Sequence, residues 1–549
     1  MSHLSKIFEE APTRVPNVNG FDLSHLRSGS SKTGQLVPCM CKLLPPKSKF
    51  TLGVAMEVSL PPLATSFFGR IDAIIEGFVV PVSILYGGWK QFISNNEIAQ
   101  YPLSQQAVQS AGGYKLPYWD LQYIAQDTER EEPVSEAFYS TYETHDNLYE
   151  FLGMKRPQLG SEYDGGNVSL LPALAYHRIC DVFYRNSKIT RTWFAVNPGS
   201  GNVVHNVSTI WHSYYTESNR SFSILDDLTF PDGVPVFQTR QRNYARDYFT
   251  SAVPTPQQGE APAYVRVNES EDLELEFSIP ALRMANALQR FRETNNLSGA
   301  YDDIIRNRWG ANPIDADFDE PYYLGRLVVP VYNKSVYQMT NRSDYISDNR
   351  NPFDLILGSK GASGSFSGNG SICKSFNVSC WSYVMCIFSL VPHATYSSGI
   401  NKELQYLELG DFPSPEFQGV GYEEIKLKEL AFSMYDNNAT FGYIPRYSSF
   451  KYMDDECVGE LAVGHSLEAF QLQRRFIGDP ALSTDFLQIP QNALDSVMSV
   501  STASMNLSCW YEIFFEFKVS MPLSDFVIPT LSDLQDTHVQ KAAVAGSKL

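Results

Sequence analysis

In LSCWYEIFFEFKVSM, residues 507–521, Leu507, Cys509, Tyr511, Ile513, Phe515, Phe517, Val519 and Met521 fall on every second position. The positions between them include Glu512, Glu516 and Lys518. A period of two puts successive side chains on opposite faces, so the pattern predicts a long strand with one face buried. GRIDAIIEGFVVP (69–81) repeats it more weakly, with Ile71, Ala73, Ile75 and Val79 on one face. QLVPCMCKL (35–43), KFTLGVAMEVSL (49–60) and CWSYVMCIFSLV (380–391) also read as strands. Strands thus come from both ends of the chain and from its middle. A sheet closed by distant segments is a sandwich or a barrel, not a series of βαβ units.

Helical spacing interrupts this pattern. In SIPALRMANALQRFRETNN (278–296), Leu282, Ala285, Leu288 and Phe291 recur at helical intervals behind the N-cap candidate Ser278 and the first-turn Pro280. SGAYDDIIRNRWG (298–310) predicts a second short helix closed by Gly310. PALAYHRICDVFYRN (172–186) predicts a third, and VSILYGGWKQFIS (82–94) a weaker fourth. Residues 186–240 read as a long loop, and the Gly/Ser-rich GSKGASGSFSGNGS (358–371) as a flexible one.

The composition agrees with a folded protein. Charged residues make up 19% of the 549 positions and aromatic ones 13%, too apolar for disorder. The net charge of −18 limits nucleic-acid contact to a local basic patch or a basic partner, because phosphate binding needs cations. Eight cysteines in so long a chain are no disulfide framework. Cys39 and Cys41, two apart, are expected on one strand face as small apolar residues. MSHLSKIFEEAPTRVP has no apolar core, so no signal peptide is expected, and the charged run 71–89 is no membrane span. Synthesis and folding in the cytoplasm are expected.

Catalytic patterns are broken wherever they begin. GHSLE (464–468) puts Glu468 where a nucleophile elbow needs glycine. DADFDE (315–320) places four carboxylates close together, but the glycine and glutamate of an EF-hand loop are missing. A solvated loop or an irregular cation site both fit it. His177 and Cys180 share a helical face, which is half a metal site, and a packed or hydrogen-bonded histidine is the plainer reading. No cofactor or catalytic residue is expected.

RQRNYAR (240–246) is the best basic patch. Arg240, Arg242 and Arg246, with Tyr244 between them, are the type of residues that contact single-stranded nucleic acid, with salt bridges to the excess carboxylates as the other reading. The segment running on from it, YARDYFTSAVPTPQQG (244–259), is rich in aromatics and proline and has no nucleophile beside a base. It reads as a structural arm in a protein that assembles, packing through Tyr248, Phe249, Pro254 and Pro256.

Taken in order, FDLSH (21–25), GFVVPVSILYGGWKQFI (77–93), LPALAYHRICDVFYRN (171–186), RDYFTSAVPTPQQG (246–259), the paired helices of 279–310 and PIDADFDEPYYLG (313–325) resemble the major capsid proteins of the Microviridae. These viruses are small icosahedral bacteriophages with circular single-stranded DNA, and the chain looks closest to their gokushovirus branch. GVGYEEIKLKEL (419–430), FGYIPRYSSFKYMDDECVGEL (441–461) and the run from RRFIGDPALSTDF to MPLSDFVIPTL extend the likeness to the C-terminal region. The resemblance implies a single mainly β domain: an eight-stranded antiparallel jelly roll with long, partly helical insertions. Its strands would lie near 35–81, 376–392 and 505–521, with insertions over most of 82–375. It implies a T=1 virion shell of sixty copies, built through pentamers in the bacterial cytoplasm around the DNA. Partners implied are a small basic DNA-packaging protein, scaffolding and pilot proteins and a host surface receptor, with no membrane insertion. The family's long insertion after the Pro-Gln-Gly segment is short here, and residues 186–240 are long instead, a candidate surface insertion. A β-sandwich carbohydrate-binding or adhesin-type protein is the alternative; it would usually carry a secretion signal.

Overall fold

The computed structural model describes residues 18–63, 67–85, 89, 93, 116, 118–120, 148–154, 167–190, 238–256, 320–337, 360–407, 411–415, 421–432, 436–476, 478–498 and 507–523. Eight of its strands carry the architecture: β1 (His25–Ser31), β2 (Val37–Leu44), β3 (Ser48–Ser59), β4 (Ile71–Pro81), β5 (Tyr322–Tyr337), β6 (Lys360–Val378), β7 (Ser382–Pro392) and β8 (Cys509–Met521). Every pairing among them is antiparallel. β1 pairs β8, β2 pairs β7, β3 pairs β6 and β4 pairs β5. The chain is thus a long ribbon doubled back on itself. The ribbon is then rolled, because β8 also pairs β3 and β7 also pairs β4. The result is two sheets, ordered β1-β8-β3-β6 and β2-β7-β4-β5. They are joined where the far end of β5 crosses over to pair β6. A short strand, Asn19–Asp22, adds to β8 at the end of the first sheet.

The core lies between the sheets. β8 is buried at every second residue, as its period predicts: Cys509, Tyr511, Ile513, Phe515, Phe517, Val519 and Met521 face inward. Phe50, Leu52, Val54, Met56 and Val58 of β3 do the same. The Tyr511 ring meets Phe388 of the opposite sheet at a 4.6 Å centroid distance. Each such fully buried side chain contributes about 1.5–3 kcal/mol.

Strands β4 and β7 are buried along their whole length, where an amphipathic pattern predicts one wet face for β4. A further layer covers them. It is built on helix α1 (Leu171–Ile179), which ends in a π-turn over Cys180–Tyr184. Leu174, Tyr176 and Ile179 pack there against Phe78, Val80, Met385 and Ile387. The outward positions of these strands therefore meet protein rather than water.

Two expectations need correction. The Gly/Ser-rich stretch 358–371, read as a flexible loop, is ordered sheet from residue 360 onward, as part of β6. The facing strand explains Gly368 and Gly370. A Cβ on Gly368 would collide with Val329 Cγ2, and one on Gly370 would lie 2.9 Å from Leu327 Cδ1. Cys39 and Cys41 do not share a face. The β2–β7 register slips at Cys386/Ile387, a bulge that takes in Cys39. One extra residue reverses the alternation, so Cys39 enters the inter-sheet core and Cys41 packs toward the α1 layer. The helix expected over 82–94 begins as a 3-10 turn at Val82–Ile84. The helices expected at 278–296 and 298–310, and most of 186–240, lie outside the described residues. No helix among the described residues is long and apolar enough to cross a membrane.

Candidate functional site

Residues 238–256 carry the basic patch and the arm, and the patch lies on the outer side of the β2-β7-β4-β5 sheet, where Arg242 meets Glu76 and Ser389. Backbone bonds fix the path. Leu36 N donates to Arg240 O at 2.9 Å, Arg242 N to Gly34 O at 2.7 Å, Ile489 N to Arg242 O at 2.9 Å and Tyr244 N to Leu487 O at 2.9 Å. Farther on, Val253 and Tyr443 exchange two bonds of 2.8 Å. Between these anchors the chain makes a tight turn closed by one carboxylate. Thr250 N donates to Asp247 Oδ1 at 2.7 Å, Thr250 Oγ1 donates to Ala245 O at 3.1 Å, and Tyr396 Oη donates to Asp247 Oδ2 at 2.7 Å.

The three arginines of the patch have different fates. Arg240 is buried: its N–H donates to Tyr176 Oη at 2.7 Å and its Nε to His177 Nδ1 at 3.3 Å. His177 is thus a packed, hydrogen-bonded histidine of the α1 layer. Arg242 lies mostly buried on Glu76 of β4 at 2.7 Å, with Ser389 Oγ at 2.9 Å and the Tyr184 ring 5.1 Å away. Tyr184 Oη also donates to Glu76, at 2.5 Å. Burial and the Glu76 charge hold the Tyr184 phenol well above its usual pKa. Arg246 is exposed. Tyr244 is stacked under Arg474, whose guanidinium sits 4.5 Å from its ring and 4.0 Å from that of Phe486.

Of the arm residues, Tyr248 and Phe249 are 5% and 7% exposed within the single chain. They belong to a separate apolar cluster with Tyr396, Ile425, Phe441, Ile444 and Phe486. Tyr248 Oη donates to the buried Glu429 at 3.1 Å, and Tyr248 N donates to Asp454 Oδ1 at 3.1 Å. Burial is the main reason the Asp454 carboxyl is pushed up to about 6; the Tyr248 N–H opposes this and Asp247, Glu456 and Asp455 add to it. Pro254 is exposed and Pro256 half-buried.

The structure also assembles what the linear sequence scatters. Arg70, Arg185, Arg242, Arg246 and Arg326 line one cleft of about 630 Å³ beside the arm. Its floor is the outer face of the sheet at Ile74, Val328 and Val391. Arg242 and Arg246 share the patch already read in RQRNYAR, but Arg70, Arg185 and Arg326 lie tens of positions from it and from one another, and no local pattern announces them. The register of β4 on β5, which sets Glu76 opposite Arg326, helps bring them together.

The other motifs resolve locally. In GHSLE, Gly464 N donates to Glu468 Oε2 at 3.0 Å and Ser466 Oγ to Glu460 Oε2 at 2.7 Å, which closes an exposed turn. Residues 315–319 of the carboxylate run lie outside the described residues. Among the described residues no group of three or more His, Cys, Asp and Glu is placed to hold a metal.

Comparison with known proteins gives a consistent picture. A family model described as "Capsid protein (F protein)" matches residues 264–530. "Capsid protein VP1" of Chlamydia phage 1 is 21% identical, over 95% of this chain and 97% of its own length. "Capsid protein VP1" of Bdellovibrio phage phiMH2K is 26% identical over 38% of this chain and 39% of its own.

Proposed function

We infer that this chain, a relative of the microvirus capsid proteins, is a structural capsid subunit of a bacteriophage, working by self-association in the virion. The observation that carries the reading is the likeness to Capsid protein VP1 of Chlamydia phage 1 along nearly the whole of both chains. The eight-strand order supports it. A ribbon paired β1·β8, β2·β7, β3·β6 and β4·β5 and rolled into two four-stranded sheets is the connectivity expected of a jelly roll. On this reading sixty copies close a T=1 shell around circular single-stranded DNA, because closed symmetry lets one chain meet itself through repeated interfaces. The role is structural rather than enzymatic. The accessory partners follow from the same reading: a small basic DNA-packaging protein, scaffolding and pilot proteins and a host receptor.

Cryo-electron microscopy of native particles, with nuclease protection on the same preparation, tests this. Small isometric shells protecting single-stranded DNA are expected. A soluble monomer or small oligomer with no protected DNA overturns the reading.

A further inference from the structure

The arginine cleft beside the arm has charges that no carboxylate among the described residues pairs. Of its five guanidiniums, three are held by buried carboxylates. Arg70 lies 2.9 Å from Asp72, Arg185 2.6 Å from Asp181 and Arg242 2.7 Å from Glu76. Asp72 is also engaged by His393 Nε2 at 2.9 Å. Arg246 and Arg326 are exposed and have no carboxylate partner among the described residues. Lys188 adds to the crowding. Its ammonium pKa is held below the usual value by partial burial and by the charge of Arg246. A chain with 61 acidic and 43 basic residues thus gathers a local surplus of positive charge in one concave place. Unpaired cations sharing a cleft repel one another, and an anion bound between them removes that repulsion.

The cleft also offers rings. Phe183 is 40% exposed and Tyr323, just beyond the cleft lining, 45%, and their centroids lie 6.0 Å apart. Phe183 lines it, and Tyr323 is on β5, three residues from Arg326. The two rings lean on the buried Phe78 at 5.0 and 5.6 Å, which fixes their positions without covering them. Guanidiniums bind phosphate through their fixed fork of donors, and exposed rings stack on unpaired bases. A free oxoanion needs only the first. The two together suit a phosphate backbone that carries accessible bases.

We propose that the cleft between the arm and β5 binds single-stranded nucleic acid, with Arg246 and Arg326 on phosphate groups and Phe183 and Tyr323 under unpaired bases. The proposal rests on the capsid reading for the nature of the strand, and deepens it by naming where on the subunit the strand lies. The segment 240–246 then contributes mainly through Arg246, because Arg240 and Arg242 already serve the fold.

The test uses the full chain and a fluorescein-labelled oligothymidylate, titrated by anisotropy at several salt concentrations. Particle formation is scored separately by electron microscopy, so failure of the cleft and failure of the capsid reading are told apart. The double variant Arg246→Gln/Arg326→Gln is expected to weaken binding at least about tenfold. It should flatten the dependence of log K on log salt by about 0.7 for each lost phosphate contact. Phe183→Leu keeps the apolar bulk and removes the ring, and a loss of about tenfold is expected with the salt slope unchanged. Lys374→Gln, which removes one positive charge on β6 outside the cleft, should leave affinity as it was, against the loss expected from Arg246→Gln or Arg326→Gln singly. Unchanged affinity and slope in the double variant, with the chain still folded by circular dichroism, overturn the proposal. Equal competition by polyglutamate also overturns it, and would make the cleft a site for an acidic protein segment.

Discussion

Tyr248 shows how a residue can look like an interface residue in a sequence and act as an internal one. Its ring is sealed in the cluster with Phe249 and Phe441, while its hydroxyl reaches Glu429 in the short helix Leu427–Leu430 and its amide reaches Asp454 in a loop. Tyr248→Phe removes the bond to Glu429 and is expected to cost about 1–3 kcal/mol, read as a lowered denaturation midpoint. Tyr248→Asp or Phe249→Asp buries a charge in the same cluster. Loss of soluble folded chain is expected, a larger effect than a block in assembly alone. The Asp454 carboxyl gives the same place a pH dependence. Its pKa is about 6 when folded against a usual value near 3.8, so the folded state binds the proton more tightly than the unfolded one. This group therefore opposes folding at neutral pH, and the opposition fades as pH falls through 6 toward 4. Asp454→Asn keeps an acceptor for the Tyr248 N–H and has no charge to desolvate. Its melting temperature should exceed that of the wild type at pH 8, and the gap should shrink by pH 5. A gap that is constant over this range would refute the assignment.

Strands differ in how openly the sequence declares them, and the reason is what each face meets. β8 has protein on one side and an open face on the other, so its period of two is readable from composition alone. β4 and β7 are covered on both sides, and alternation has no work to do there. β6 carries little apolar signal because its glycines make room for Val329 and Leu327 from β5, and a strand built from gaps resembles a linker. Gly368→Val is expected to force these strands apart and to destabilise the fold by at least about 1–3 kcal/mol. Combining it with Val329→Ala should restore part of the loss in a double-mutant cycle. Additive effects would show that the two positions do not compete for the same space. The bulge at Cys39 was equally hidden, since nothing in VPCMC marks where an extra residue enters the pairing. The arginine cleft was hidden for a different reason. It is the product of pairing between distant strands, and of its basic residues only those of RQRNYAR formed a patch that could be read locally.

At the scale of the whole molecule, the rolled ribbon places β8 between β1 and β3, two strands joined to each other through residues 32–47. Roughly 450 positions separate Ser59, the end of β3, from Cys509, the start of β8. At about 5–20 residues per second, a ribosome needs on the order of 20–90 s to make that interval. Throughout it, the half of β3 that awaits β8 is an unpaired edge, of the kind that recruits foreign strands. Translation itself is therefore a timer on this protein. The final strand acts as a latch, and a chain halted before residue 509 leaves the ribosome with its first sheet unclosed.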